Sequence, residues 1–200
     1  MPTRSRTFFR DMVPVLVGMA VVLVARSSLA DHYKVPTGSM EPTVLVGDQI
    51  CVNKIAYGLR VPASLTYLAH GDAPARGDVV VLASPADGQV LLKRVVAVPG
   101  DVVEVTGGRV AIDGAFAPVH TQDGRLIEEI DGRPHALGDE YGGGPNFGPT
   151  RVPADRFLVL GDNRGNSADG RFFGWVDRDA ILGRAVAVCV RDGKPVWRPL

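Results

Sequence analysis

The stretch DVVEVTGGRVAIDG, Asp101–Gly114, decides how the chain is to be read. Apolar and polar residues alternate on both sides of Gly107-Gly108, which is the period of a strand with one buried face. Two such runs joined by a pair of glycines predict a hairpin whose turn has positive φ at both central residues. Working outward, short β-branched runs recur at QICVNKI (49–55), GDVVVLAS (77–84), VLLKRVVAV (90–98), RFLVLGD (156–162) and AILGRAVAVCV (180–190). Each is bounded by Gly, Pro or Asp, as strands joined by tight turns are. Arg191-Asp192-Gly193-Lys194 then turns the chain toward a last short strand at PVW. The expectation is a mainly β, antiparallel domain.

At 200 residues the chain suits one substantial domain. Lys plus Arg and Asp plus Glu both total 22, so charge gives no reason to expect nucleic acid as a partner. Between Phe116 and Thr150 the strand signal fades, and GDEYGGGPNFGP (138–149) reads as a loop. Residues 116–150 are therefore expected to be an excursion from the main sheet or a small inserted subdomain. The glycines there lack the Lys-Ser/Thr ending of a phosphate-binding loop, and no zinc-ligand spacing is present. No cofactor or metal is expected.

The first 30 residues differ from the rest. Arg4, Arg6 and Arg10 precede an uncharged run from Met12 to Ala25, and Arg26 is the only charge before Asp31. Met12–Ala30 spans 19 residues, near the roughly 20 a membrane helix needs if Arg26 snorkels to the interface. The leading arginines favour a cytoplasmic N-terminus. The expected organisation is a cytoplasmic tip and single-pass anchor over 1–30 and an extracytoplasmic β-domain over 31–200. A cleavable signal peptide ending at Ser28-Leu29-Ala30 is the competing reading, and both export the domain. Cys51 and Cys189 fall in predicted strands and are expected to be two small buried hydrophobes rather than a disulfide.

Candidate chemistry begins with Ser39, in VPTGSMEPT (35–43), where Gly38 leaves room for a substrate backbone and Pro42 stiffens the segment. A serine nucleophile needs a positioned base. None of His32, His70, His120 and His135 sits in a motif with an acidic partner. Lysine is the alternative. By alternation Lys93 faces the same side as Leu91 and Val95, the buried side, where desolvation favours a neutral amine able to act as a base. Alternation also implies that of Lys93 and Arg94 only one can be exposed. LGDNRGNSADGRFFGWV (160–176) adds Asp162, Arg164, Ser167, Asp169 and Arg171, the pattern of a loop pinned by ion pairs around a hydroxyl.

With these pieces in this order, the chain resembles bacterial type I signal peptidases (leader peptidases), membrane-anchored Ser/Lys proteases. The anchor, residues 36–62, residues 77–85 with 91–101, and residues 147–176 carry the resemblance, about half of the chain. The resemblance implies Ser39 as nucleophile, Lys93 as general base, and Thr37, where many relatives have serine, as an oxyanion donor beside the Ser39 backbone N–H. It implies that Ser167 orients the lysine amine, that Asp169 and Arg171 support the site, and that Arg94 and Asp162 do so at greater distance. Gly165 and Gly170 stand where relatives commonly carry Asp and Ser, a departure expected to loosen this loop. The implied activity is removal of signal peptides from exported proteins at the inner membrane, beside the lipid bilayer and the export machinery. A dedicated conjugation or pilus maturation peptidase with the same chemistry, or a non-enzymatic anchored β-module, remain as alternatives.

Overall fold

The computed structural model describes residues 12–15, 17–18, 30–60 and 67–200. Residues 12–15 and 17–18 are helical, and most of the expected anchor, Met12–Ala30, lies outside the described residues. Among the described residues no helix is long and apolar enough to cross a membrane.

The strands expected from the β-branched runs all form, and others that were not expected form beside them. In chain order they are β1 (Ala30–Lys34), β2 (Gln49–Asn53), β3 (Gly58–Arg60), β4 (Tyr67–His70), β5 (Val79–Ala83), β6 (Val90–Ala97), β7 (Val102–Thr106), β8 (Arg109–Ile112) and β9 (Ala115–Phe116). They continue as β10 (Val119–Gln122), β11 (Arg125–Ile130), β12 (Arg133–Leu137), β13 (Phe147–Arg151), β14 (Arg156–Leu160), β15 (Val176–Asp177), β16 (Ile181–Arg191) and β17 (Lys194–Pro199). The principal sheet has the order β1-β2-β16-β5-β6-β14-β15, with β17 beside β16. A second sheet is ordered β13-β7-β8-β9, a third β10-β11-β12, and β3 pairs β4. Adjacent strands in all four sheets run antiparallel.

The β7–β8 hairpin is as expected: Thr106 pairs Arg109, and Gly107 and Gly108 have φ of 57° and 81°. The central strands are covered on both faces. Along β5, Val79 and Val81 join one core cluster while Val80 and Leu82 join another. Along β14, Leu158 and Leu160 pack into one cluster and Phe157 and Val159 into a different one. Burial on both faces is why these runs are almost continuously apolar rather than alternating.

One expectation is filled in here and one is corrected. Residues 119–137 lie within the stretch expected to be an excursion or a small subdomain. They form the β10-β11-β12 meander, whose turns are Asp123-Gly124 (φ 51° and 74°) and Asp131-Gly132 (φ 54° and 73°). Asp-Gly is a strong signal for such turns, masked here by the polar strands around it. Within 138–149, only the part before β13 is a loop. Second, Cys51 and Cys189 are half-buried and form a disulfide, with Cα atoms 5.8 Å apart. They lie on neighbouring strands, and a register shift in β16 between Val188 and Val190 puts Cys189 at an irregularity in the ladder, in reach of Cys51.

Candidate active site

The candidate site forms where the β1–β2 connection crosses the ends of β6 and β14. Ser39 lies in a tight segment closed by Glu41 N–H to Gly38 O (3.1 Å) and Val44 N–H to Met40 O (2.9 Å). Met40 and Val44 drop into the core and hold the segment down. Gly38 is overlaid by the Glu41 carboxylate, which a Cβ there would meet at 2.8 Å.

Asn163 fixes the main chain of this segment. Its backbone N–H donates to Ser39 O (3.1 Å) and its Nδ2 to Gly38 O (3.2 Å). Gly161 makes the approach possible, since a Cβ there would stand 2.3 Å from Ser39 O and from Ser167 Oγ. Asn163 was not singled out in the sequence; its place in the GDNR block was the available signal.

Lys93 reaches Ser39 from β6, its Nζ donating to Ser39 Oγ at 2.7 Å. Ser39 is 9% exposed and Lys93 2%. Burial pushes the Lys93 ammonium down to about 8, against the opposing pull of the Asp169 and Asp162 carboxylates. Alternation left no more than one of Lys93 and Arg94 exposed, and in the structure neither is: Arg94 is 4% exposed. Their β5 partners, Val80 and Val79, belong to different core clusters, so both faces of β6 look onto interior.

Arg94 is accommodated by a bidentate pair with Asp162, Nε to Oδ1 at 2.8 Å and Nη2 to Oδ2 at 2.7 Å, and by Gly77 O at 2.8 Å. Burial raises the Asp162 carboxyl, but Arg94 overrides this and holds it at about 2. Thr43, from the Ser39 segment, donates to Asp162 Oδ2 at 2.6 Å. One carboxylate therefore ties the serine segment to the strand that carries the lysine.

The loop after β14 is pinned by ion pairs, as expected, but mostly with distant partners. Only Asp169–Arg171 is local: Arg171 Nε and Nη2 each donate to Asp169 at 2.8 Å. Asp169 also caps the one-turn helix Gly170–Phe173 and accepts from Gly161 N–H at 3.1 Å. Arg164 instead pairs with Glu128 of β11, donates to Gly108 O, and places Glu128 3.2 Å from His135 Nε2. Glu128 and His135 are buried and were missed, because nothing local in IEEIDGRPHAL marks either as interior.

Ser167 is 7% exposed, and its Oγ has no hydrogen-bond partner here. Thr37 is exposed, two residues before Ser39. Gly165 and Gly170, expected to loosen the loop, have no open space beside them. A Cβ on Gly165 would lie 2.0 Å from Tyr141 O, and one on Gly170 2.7 Å from Leu158 Cδ1. The 138–146 segment packs where a Gly165 side chain would stand and β14 where a Gly170 side chain would, and the former is tied down by Arg171 Nη1 to Gly143 O at 2.6 Å. Among the described residues no group of three or more His, Cys, Asp or Glu side chains is placed to hold a metal.

A serine hydroxyl against a desolvated amine, beside a fixed main chain, can perform acyl transfer. The family model for signal peptidase, peptidase S26, matches residues 9–190. A signal peptidase I from Leptolyngbya laminosa is 38% identical over 182 residues, covering 85% of this chain and 74% of the relative. One from Pseudomonas fluorescens is 37% identical over 210 residues, covering 93% and 72%. A crystal structure of a signal peptidase I from Enterococcus faecalis V583 overlaps 56% of this chain and 97% of its own, at 26% identity and a TM-score of 0.40.

Proposed function

The chain belongs to the signal peptidase family, peptidase S26, and from that premise we propose that Ser39 and Lys93 are the pair with which it cleaves. It is a serine endopeptidase that removes signal peptides from preproteins. The observation that carries the assignment is the buried 2.7 Å contact between Lys93 Nζ and Ser39 Oγ.

In this mechanism neutral Lys93 accepts the Ser39 proton along that contact, and Oγ attacks the scissile carbonyl carbon. The oxyanion is held by the Ser39 backbone N–H and the Thr37 hydroxyl. Protonated Lys93 then donates to the leaving amine, releasing the mature chain and leaving the signal peptide esterified to Ser39. Lys93, neutral again, takes a proton from water, which opens the ester. Ser167, whose buried hydroxyl has no other partner, is the residue suited to orient the amine. Asp169, Arg171, Arg94 and Asp162 act as positioning residues through the contacts described above.

Residues 1–30 supply a cytoplasmic tip and a single membrane anchor, and 31–200 the extracytoplasmic catalytic domain, with 116–150 as its insertion. This placement accords with the arginines before Met12 and the apolar run after it. Ser39, nine residues beyond Ala30, then works at the lipid surface where the export machinery delivers preproteins.

Purified full-length chain is expected to convert a preprotein to its mature length, and Ser39→Ala to abolish conversion while keeping the wild-type melting temperature. Mass spectrometry of wild type with a slowly deacylating substrate should show the adduct on Ser39. Unimpaired cleavage by Ser39→Ala would overturn the assignment.

A further inference from the structure

A cavity beside the Ser39 segment, and a second that adjoins it, are not used in the chemistry above. The first, about 340 Å³, is bounded by Glu41, Pro42 and Leu45 after Ser39, by Asn163, and by Leu126 and Leu137 of the meander. The second, about 450 Å³, runs on to Gly107–Arg109 and Gly142-Gly143. They share Leu126, Leu137, Gly138 and Asp139, so together they make one groove leading away from the nucleophile segment. Each is within the size range of ligand-binding pockets, about 300–1,000 Å³.

The floor is a cross-strand pair. Leu126 and Leu137 stand directly opposite each other in the β11–β12 register, and both are only half-buried. The wall nearest the site is Asn163, 3% exposed, whose Oδ1 has no hydrogen-bond partner. A buried acceptor left without a donor is unusual in a finished protein interior, and an N–H from an extended peptide is the donor such a groove admits. The rim at this end carries Glu41, Asp139 and Glu140 against the single cation Arg125.

We propose that this groove binds the first residues of the mature chain, on the leaving-amine side of the scissile bond, and that it favours basic over acidic side chains there. The proposal rests on the peptidase reading and names a second binding region for it. Its continuity with Glu41 and Pro42, immediately beyond Ser39, assigns it to the leaving-amine side. Asn163 is a positioning residue for Ser39 through its N–H and Nδ2, and its Oδ1 meets the substrate backbone.

The test compares two substrates with the same signal peptide, one ending two residues after the cut and one continuing for ten. Binding energy remote from the reacting bond raises kcat/KM, so wild type should cleave the longer about tenfold faster. Leu137→Trp fills the groove and should bring the long-to-short ratio to about one. A second variant, Asp139→Asn/Glu140→Gln, changes only exposed side chains. It should reduce the preference for Lys over Glu in the mature segment about fivefold, with KM moving more than kcat. No length preference in wild type, or ratios unchanged in both variants, overturns the groove assignment. Failure of wild type to cleave either substrate would instead sink the peptidase reading itself.

Discussion

Lys93 and Arg94 are neighbours on one strand and nearly equally buried, yet their surroundings are opposites. Arg94 meets a carboxylate head-on with two hydrogen bonds and a carbonyl with a third. Lys93 has one hydroxyl, and the carboxylates of Asp169 and Asp162 act on it only through space. A buried cation with a bidentate partner stays charged and structural. One without such a partner is pushed toward its neutral form and becomes a base. Burial is common to both residues, so the placing of Asp162 separates their roles.

Exchanging each cation for methionine tests that contrast. Lys93→Met should lower kcat/KM for preprotein cleavage by about 10³-fold or more, the range of a lost general base. Retention of a tenth of wild-type activity would break the comparison at its catalytic end. Arg94→Met strands Asp162 as an unpaired buried carboxylate and should destabilise the fold by about 3–5 kcal/mol, read from the denaturant midpoint. A loss below about 1 kcal/mol would mean Asp162 does not depend on Arg94.

The smallest effect concerns the sign of the stability change at Lys93. Its folded pKa of about 8 lies below the unfolded value of 10.5, so between these values the unfolded chain binds more protons and wild-type stability rises with pH. Lys93→Met removes that titration. At pH 7 it should be more stable than wild type by up to about 3 kcal/mol, less whatever the Ser39 hydrogen bond contributes. The difference should shrink as pH climbs from 8 toward 10.5. The same titration should give wild-type kcat/KM a half-maximum near pH 8 on its rising limb. A stability gap that does not change with pH, or a rate that rises only near pH 10, would show that Lys93 is not desolvated.

The meander and the disulfide show where sequence legibility ends. The β7–β8 hairpin was readable because alternation and turn chemistry agree over Asp101–Gly114. The meander has the turn chemistry without the alternation: Val119–Gln122 is VHTQ, with one apolar residue in four. The cysteines were visible as strand residues, but a register irregularity in a partner strand leaves no local trace. Gly165 and Gly170 looked like lost side chains, although Tyr141 and Leu158, which sequence spacing does not place beside them, stand where those side chains would go.

By itself the sequence determined the β-branched strands, the turn at Gly107-Gly108, the presence of Ser39 and Lys93, and the family. All of these are written in local pattern: period, β-branching, glycine placement and short motifs. Tertiary structure alone decided that Arg94 also turns inward, that Asp162 joins it to Thr43, and that Glu128 and His135 brace Arg164. Alternation assumes one solvent face, and β6 has none from Lys93 to Ala97. Partners for a buried charge come from whatever the fold brings within hydrogen-bond reach, 68 residues away for Arg94 and Asp162.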